Sequence, residues 1–321
     1  MSEQAIGLGQ LRSDGSLRHL LTLEGIPRAL LERLLERAAA WSRPQGTPAP
    51  RSSLLAGKTV AVMFAEPSTR TRVSFELAAR RLGAEAINIE VQLSSRLKGE
   101  SVLDTIATLE AMQVDAFVLR DADASVPPLV AGHVGAHVSV LSGGAGSLSH
   151  PTQGLLDALT VWQCKQRFEG LSIAIVGDVR HSRVARSAWQ AFSALGVKDL
   201  RLVAPAALMP DTGEFPGCTR LASLDRGIDD CDVVMMLRIQ KERMDAAAIP
   251  SERQYFAEWG LTAARLRRAR HDAIVMHPQP MNREVEIASD VADGQQSVIR
   301  RQVSNGVAVR MAVLEATLGP R

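Results

Sequence analysis

Short apolar runs and longer amphipathic segments take turns along this chain. The runs lie at Thr59 to Phe64, Glu85 to Ile89, Ala116 to Leu119 and Val138 to Leu141, and again at Ser172 to Val176, Asp199 to Val203, Val233 to Leu237 and Ala273 to Met276. Such short, Val- and Ile-rich stretches predict strands buried on both faces. Between them, Ile26 to Trp41, Val73 to Leu82, Val102 to Met112, Val126 to Val134, Thr152 to Gln166 and Ser182 to Leu195 carry apolar residues at helical spacing. Strand followed by helix, repeated and then restarted, predicts an α/β fold of two domains, each a parallel sheet flanked by helices. Residues 1 to 18 are polar and weakly patterned and are expected to form a loose arm. Ser42 to Ser53, rich in Ser and Pro, is expected to be a loop.

In open parallel sheets, ligands collect outside the carboxyl ends of the strands. Applied here, that rule selects polar clusters: Glu66 to Arg72 after Phe64, Arg120 after Leu119, and the glycine-rich Ser142 to Gly146 leading to His150 and Gln153 after Leu141. In the second half it selects Asp178 to Arg183, Arg238 to Arg243, and His277 to Pro280. The first cluster is the most telling. Ser68 is a good N-cap residue, and the first-turn N–H groups of the following helix point at whatever anion sits there. Hydroxyls and guanidinium groups at Thr69, Arg70, Thr71 and Arg72 add donors that match a phosphate. A capped surface helix needs one hydroxyl, not three interleaved with two arginines, so anion binding is the better reading. The Gly-rich spacing and Lys of a Walker loop are absent.

Composition narrows the classes further. The 321 residues are 46% hydrophobic, enough for a large core and more in keeping with two domains than one. Aromatics stand at 4% and the formal net charge at +2, which argue against a base-stacking platform and against broad nucleic-acid binding. Cys164, Cys218 and Cys231 lack metal-ligand spacing and read as small buried residues in a reducing compartment. No apolar run reaches membrane-spanning length and no start-proximal segment has leader-peptide order, so a cytoplasmic location is expected.

Taken together, these clusters make the chain similar to the aspartate carbamoyltransferases of the aspartate/ornithine carbamoyltransferase superfamily, from about Leu20 to Leu318. The matching motifs are Phe64 to Glu76 (FAEPSTRTRVSFE), Lys98 to Thr105 (KGESVLDT), His150 to Asp157 (HPTQGLLD), Arg238 to Met244 (RIQKERM) and the tail Val291 to Leu314. The resemblance implies transfer of the carbamoyl group of carbamoyl phosphate to the amino group of L-aspartate, giving N-carbamoyl-L-aspartate and phosphate in pyrimidine biosynthesis. It also implies a carbamoyl phosphate domain at 1–150, completed by a C-terminal helix at 303–321, and an aspartate domain at 151–302. Two helices would link them: Thr152 to Gln166, and the segment around Asn305 to Leu318.

By the same resemblance Ser68, Thr69, Arg70 and Thr71 hold the phosphate. Thr71, Arg120 and His150 surround the carbonyl oxygen, where they would stabilise the oxyanion formed when the amine attacks, and Gln153 holds the carbamoyl nitrogen. Arg183 is implied for the α-carboxylate of aspartate, Arg238 and Gln240 for its side-chain carboxylate, and Gln279 and Pro280, across a candidate cis peptide, for the reacting groups. Ser94 and Lys98 would reach into the neighbouring subunit's site, which makes a homotrimer with shared active sites the expected unit. A dihydroorotase-like or regulatory subunit is a further partner the resemblance allows; no cofactor, metal, nucleic acid or membrane is expected.

Three positions depart from the family's usual pattern: Asp121, Ala145 and Gln279. Asp121 either pairs with Arg120 or caps the next helix. Two alternatives stay open: a carbamoyltransferase for another amino-acid acceptor and, with these departures as signs of relaxed chemistry, a dormant scaffold subunit of a dihydroorotase-containing complex. The His277-Pro278-Gln279-Pro280 sequence lacks the cysteine that marks ornithine enzymes.

Overall fold

Most of the apolar runs become strands whose side chains are shielded from water on both sides; the run at Glu85 to Ile89, expected to be buried likewise, forms an edge strand with no fully buried residue. In the computed structural model, which describes residues 9–89, 101–239 and 251–320, the chain divides into two units, Met1–Leu159 with Ser304–Arg321, and Thr160–Val303. The first unit contains α1 (Arg28–Trp41), β1 (Thr59–Phe64), α2 (Thr69–Arg81), β2 (Glu85–Ile89), α3 (Val102–Ala111), β3 (Ala116–Asp121), α4 (Val126–Ala131) and β4 (Ser139–Ala145). Its four strands are parallel in the order β2-β1-β3-β4. Met63, Phe117, Leu119 and Val140 from the sheet pack with Ile106 of α3 and Val126 and Val130 of α4 in one buried cluster. On α2, Thr71, Phe75, Ala78 and Ala79 form the buried stripe.

Helix α5 (Pro151–Lys165) leads into the second unit. There follow β5 (Ser172–Val176), α6 (Arg183–Ala194), β6 (Asp199–Val203), β7 (Thr219–Leu221), α7 (Leu224–Gly227), β8 (Val233–Met236), α8 (Glu252–Trp259), α9 (Ala263–Leu266), β9 (Ile274–Met276), α10 (Ser289–Ala292) and α11 (Ile299–Leu318). The five strands are again parallel, ordered β7-β6-β5-β8-β9. Every residue of β5 is buried. The boundaries between units, at Leu159/Thr160 and Val303/Ser304, fall inside α5 and α11, so both linking segments are helical.

The structure corrects several expectations. Residues 9–18, the described part of the expected loose arm, are not loose: Arg18 Nη2 donates to the Gly135 carbonyl at 2.9 Å, and the arm folds against the following residues 19–21, which pair with the sheet. Leu20 bridges Leu141 of β4 in parallel, Val140 N–H donates to His19 Nδ1 at 2.8 Å, and Gln10 Oε1 accepts from Leu21 N–H at 2.6 Å. β4 is an edge strand, and this strap covers its open side. The segment was hard to read because its anchoring groups are polar side chains that replace a strand partner. β4 itself extends to Ala145 where the sequence predicted an end at Leu141. β7 and α8 were not foreseen: β7 is three residues long and largely exposed, too short to show a period. Of the cysteines, Cys231 alone is fully buried, and Cys164 and Cys218 are half-buried.

Candidate active site

The phosphate-like cradle lies in the first unit, at the end of β1. α2 begins at Thr69 instead of the predicted Val73, so Thr69, Arg70 and Thr71 form the first helical turn itself. Ser68 occupies the N-cap position, but its side chain makes no capping hydrogen bond, which corrects the capping role expected of it. The first turn holds no acidic residue, so the positive end of the helix is not neutralised locally. Thr71 is buried, whereas Thr69 and Arg70 are exposed. The Ser74 hydroxyl donates to the carbonyl oxygens of Arg70 and Thr71 at 2.7 and 2.9 Å, bracing that turn from the next.

Arg120 sits at the end of β3, in register with Phe64 of β1. The pairing of β3 with β4 slips between Leu119 and Arg120, passing over Gly143, and Arg120 Nη1 donates to the Gly143 carbonyl at 3.0 Å. A Cβ at Gly143 would meet the Phe64 ring at 3.0 Å, so glycine is what lets the bulge close against β1. Glu66 Oε2 lies 3.4 Å from Arg120 Nε. Asp121 Oδ1 accepts from the Asp123 amide at 3.0 Å. The residue at the N-cap of α4 is Ser125, so of the two roles open for Asp121 capping is not the one seen. Ala145 is buried and exchanges backbone hydrogen bonds with Ser149.

His150 is 5% exposed and its carbonyl accepts the Gln153 and Gly154 amides at 2.9 and 3.2 Å, which sets its backbone at the entrance of α5. Gln153, also buried, donates from Nε2 to Asp157 Oδ1 at 3.0 Å. With its nitrogen held by a buried carboxylate, the amide presents Oε1 as an acceptor.

The second unit gathers its own set. After β5, buried Asp178 accepts from the His181 ring at 2.8 Å, Ser182 caps α6, and Arg183 is the first residue of that helix, 7% exposed. Arg238 follows β8, the strand paired with β5. Gly177 packs against Leu237 so closely that a Cβ would meet the Leu237 carbonyl at 3.0 Å. After β9, His277 is fully buried; its Nδ1 accepts from the Gln279 amide at 2.9 Å, which leaves Nε2 to carry the proton and donate to Glu286 Oε1 at 3.2 Å. Glu286 also accepts from the Asn282 amide at 2.5 Å. The Gln279-Pro280 peptide is cis, as expected, and Gln279 has φ 62°, a left-handed conformation unfavourable for a side chain with a Cβ.

Sequence reasoning placed Glu66 in the first cluster without giving it a role, and did not single out Glu286 or Tyr255. Tyr255, the chain's single tyrosine, is 1% exposed, and its hydroxyl has no hydrogen-bond partner among the described residues. Burial, then Glu286 and Asp178, push that hydroxyl above the usual phenol range. Its one cue in the sequence was the Ser251/Gln254 capping box that starts α8. Ser94, Lys98 and Gln240 lie outside the described residues. Among the described residues no cluster of His, Cys, Asp and Glu could hold a metal ion, and no helix is long and apolar enough to cross a membrane.

Comparison with known proteins finds two family models along the chain. The family described as aspartate/ornithine carbamoyltransferase, carbamoyl-P binding domain, matches residues 18–163. Its companion, the Asp/Orn binding domain, matches residues 169–317. Among solved structures, aspartate transcarbamoylase from Trypanosoma cruzi in complex with carbamoyl phosphate is 32% identical, with a TM-score of 0.85 over 94% of this chain and 96% of that one. The same enzyme in complex with N-(phosphonacetyl)-L-aspartic acid is 31% identical, with a TM-score of 0.84 over 98% and 100%. Ornithine carbamoyltransferase from Pyrococcus furiosus is 30% identical, with a TM-score of 0.84 over 94% and 97%.

Proposed function

The chain belongs to the aspartate/ornithine carbamoyltransferase family, and we propose that within it the protein is an aspartate carbamoyltransferase, forming N-carbamoyl-L-aspartate and phosphate for pyrimidine biosynthesis. The observation that carries the choice of acceptor is the pair Arg183 and Arg238, which follow the adjacent parallel strands β5 and β8. Two guanidinium groups suit an acceptor with two carboxylates. Ornithine has one carboxylate and a cationic side chain, and the nearby acids Asp178 and Glu286 are already engaged with His181 and with His277 and Asn282.

In this reading the phosphate of carbamoyl phosphate is bound by the first turn of α2 through Ser68, Thr69, Arg70 and Thr71. Thr71, Arg120 and His150 donate to the carbonyl oxygen and stabilise the oxyanion of the tetrahedral intermediate. Gln153 accepts from the carbamoyl nitrogen through Oε1. Arg183 and Arg238, with Gln240, bind the acceptor carboxylates, while the backbone at Gln279 and Pro280 orients the amine. The amine attacks the carbonyl carbon, the C–O bond to phosphate breaks, and the departing phosphate accepts the amine proton. Ser94 and Lys98 complete the site of a neighbouring subunit in a trimer, and the enzyme works in the cytoplasm.

Steady-state kinetics of Arg183→Ala and Arg238→Ala test the acceptor reading. Each is expected to raise the aspartate KM at least tenfold, in keeping with the loss of a charge-assisted contact of about 1.5 to 3 kcal/mol, and to leave carbamoyl phosphate binding nearly unchanged. An unchanged aspartate KM in both variants contradicts it.

A further inference from the structure

One buried charge has no part in the chemistry above. Arg310 lies on α11, in the part of that helix that belongs to the first unit, and is 4% exposed. Its guanidinium carbon stands 5.0 Å over the ring of Phe75, and Nη1 donates to the Gly306 carbonyl at 2.9 Å. Among the described residues its Nε has no hydrogen-bond partner. Burial pulls the guanidinium down to about 9, with no acidic group among the described residues acting to raise it, so it is charged at neutral pH. Buried charges are ordinarily paired, because removal from water is so unfavourable.

The fold makes room for this cation. Gly306 stands inside α11, where glycine weakens a helix. A Cβ at Gly306 would lie 2.7 Å from Arg310 Nη1, so the glycine admits the guanidinium as it folds back one turn. Phe75, the ring beneath it, follows Thr71 by four residues on the buried stripe of α2, a rise of about 6 Å along the axis. The charge therefore sits under the turn that carries Thr69, Arg70 and Thr71, in packed protein where water screens it poorly.

We propose that Arg310 is a buried anion-affinity residue: its cation, stacked on Phe75 beneath the first turn of α2, strengthens binding of a doubly charged phosphate in the cradle without touching it. This rests on the reading of that turn as the phosphate site. A field acts in proportion to the ligand's charge, whereas a packing defect does not. Removing a unit charge at roughly 10 to 15 Å is expected to weaken dianionic phosphate on the order of tenfold, and monoanionic phosphate about threefold.

The experiment is calorimetric titration of the full-length protein with inorganic phosphate at about pH 8 and about pH 5.5, on either side of the second phosphate ionisation. Wild type is compared with Arg310→Met, which keeps an apolar contact on the ring, and with Arg310→Lys, which keeps the charge. The wild-type-to-variant ratio at each pH removes other titrations from the comparison. Expected is a loss in the Met variant that is larger at the higher pH, with Lys within about threefold of wild type. An undiminished affinity in the Met variant, or an equal loss at both pH values, overturns the inference. If the Met variant does not fold, a tenfold loss in a folded Lys variant overturns it. Wild-type protein that fails to bind phosphate overturns the cradle reading itself, and this inference with it.

Discussion

Single residues in this chain act through the state their surroundings impose. His19 is 1% exposed and accepts the Val140 amide through Nδ1, a bond that a proton on that nitrogen would break. Burial, then Arg18 and Arg12, lower its pKa from 6.5 to about 3. Because the folded value lies below the unfolded one, the unfolded chain binds the extra proton between the two. The contribution to stability is whole above pH 6.5 and is lost as the pH falls toward about 3, at no more than about 1.4 kcal/mol per pH unit. Urea melts of wild type and His19→Asn across that window should diverge, the wild type falling more steeply. Parallel pH dependence would contradict the assignment. The positions expected for the carbamoyl phosphate half of the site were picked out in the sequence because Ser68 to Thr71, His150 and Gln153 follow strands and Arg120 lies at the end of one. The pairing of Glu66 with Arg120, and Glu286 and Tyr255 altogether, were not, because their relevance comes from partners that sequence spacing does not reveal: for the last two, His277 and the pair Glu286 and Asp178.

At the scale of elements, buried strands were the most legible. β1, β2, β5 and β6 run over the predicted residues; β1 and β5 are nearly continuous apolar runs, which leaves little freedom in their ends, whereas β2 and β6 are interrupted by polar residues. The start of α2 was placed too late, because Thr69 to Arg72 are polar and carry no helical period of hydrophobicity, although they form its first turn and include residues proposed to meet the phosphate. β4 was misread at its end, where Ser142 to Gly144 resemble a turn but pair with β3 across a bulge. That bulge aims the Gly143 carbonyl at Arg120, and a methyl group at position 143 would press on Phe64. Gly143→Ala is therefore expected to destabilise the protein by about 1 to 3 kcal/mol and to lower kcat by disturbing Arg120. A thermal melt and kcat equal to wild type would show that the close approach is relieved without consequence.

For the molecule as a whole, the alternation of strand and helix predicted two parallel sheets, and two are present. The positions of the two linking segments came from the family resemblance, and both segments are helices. The proposed trimer makes its own prediction, because a site completed by Lys98 of one chain and His150 of another can be rebuilt from two defective chains. Lys98→Ala and His150→Ala, each expected to be nearly inactive, should regain activity when unfolded together and refolded as a mixture. No recovery in mixed trimers would contradict shared sites. The central claim, an acceptor with two carboxylates, is tested most directly by supplying the purified protein with carbamoyl phosphate and either L-aspartate or L-ornithine and measuring the carbamoylated product. The account predicts turnover with aspartate and none with ornithine; turnover with ornithine alone, or with neither, would contradict it.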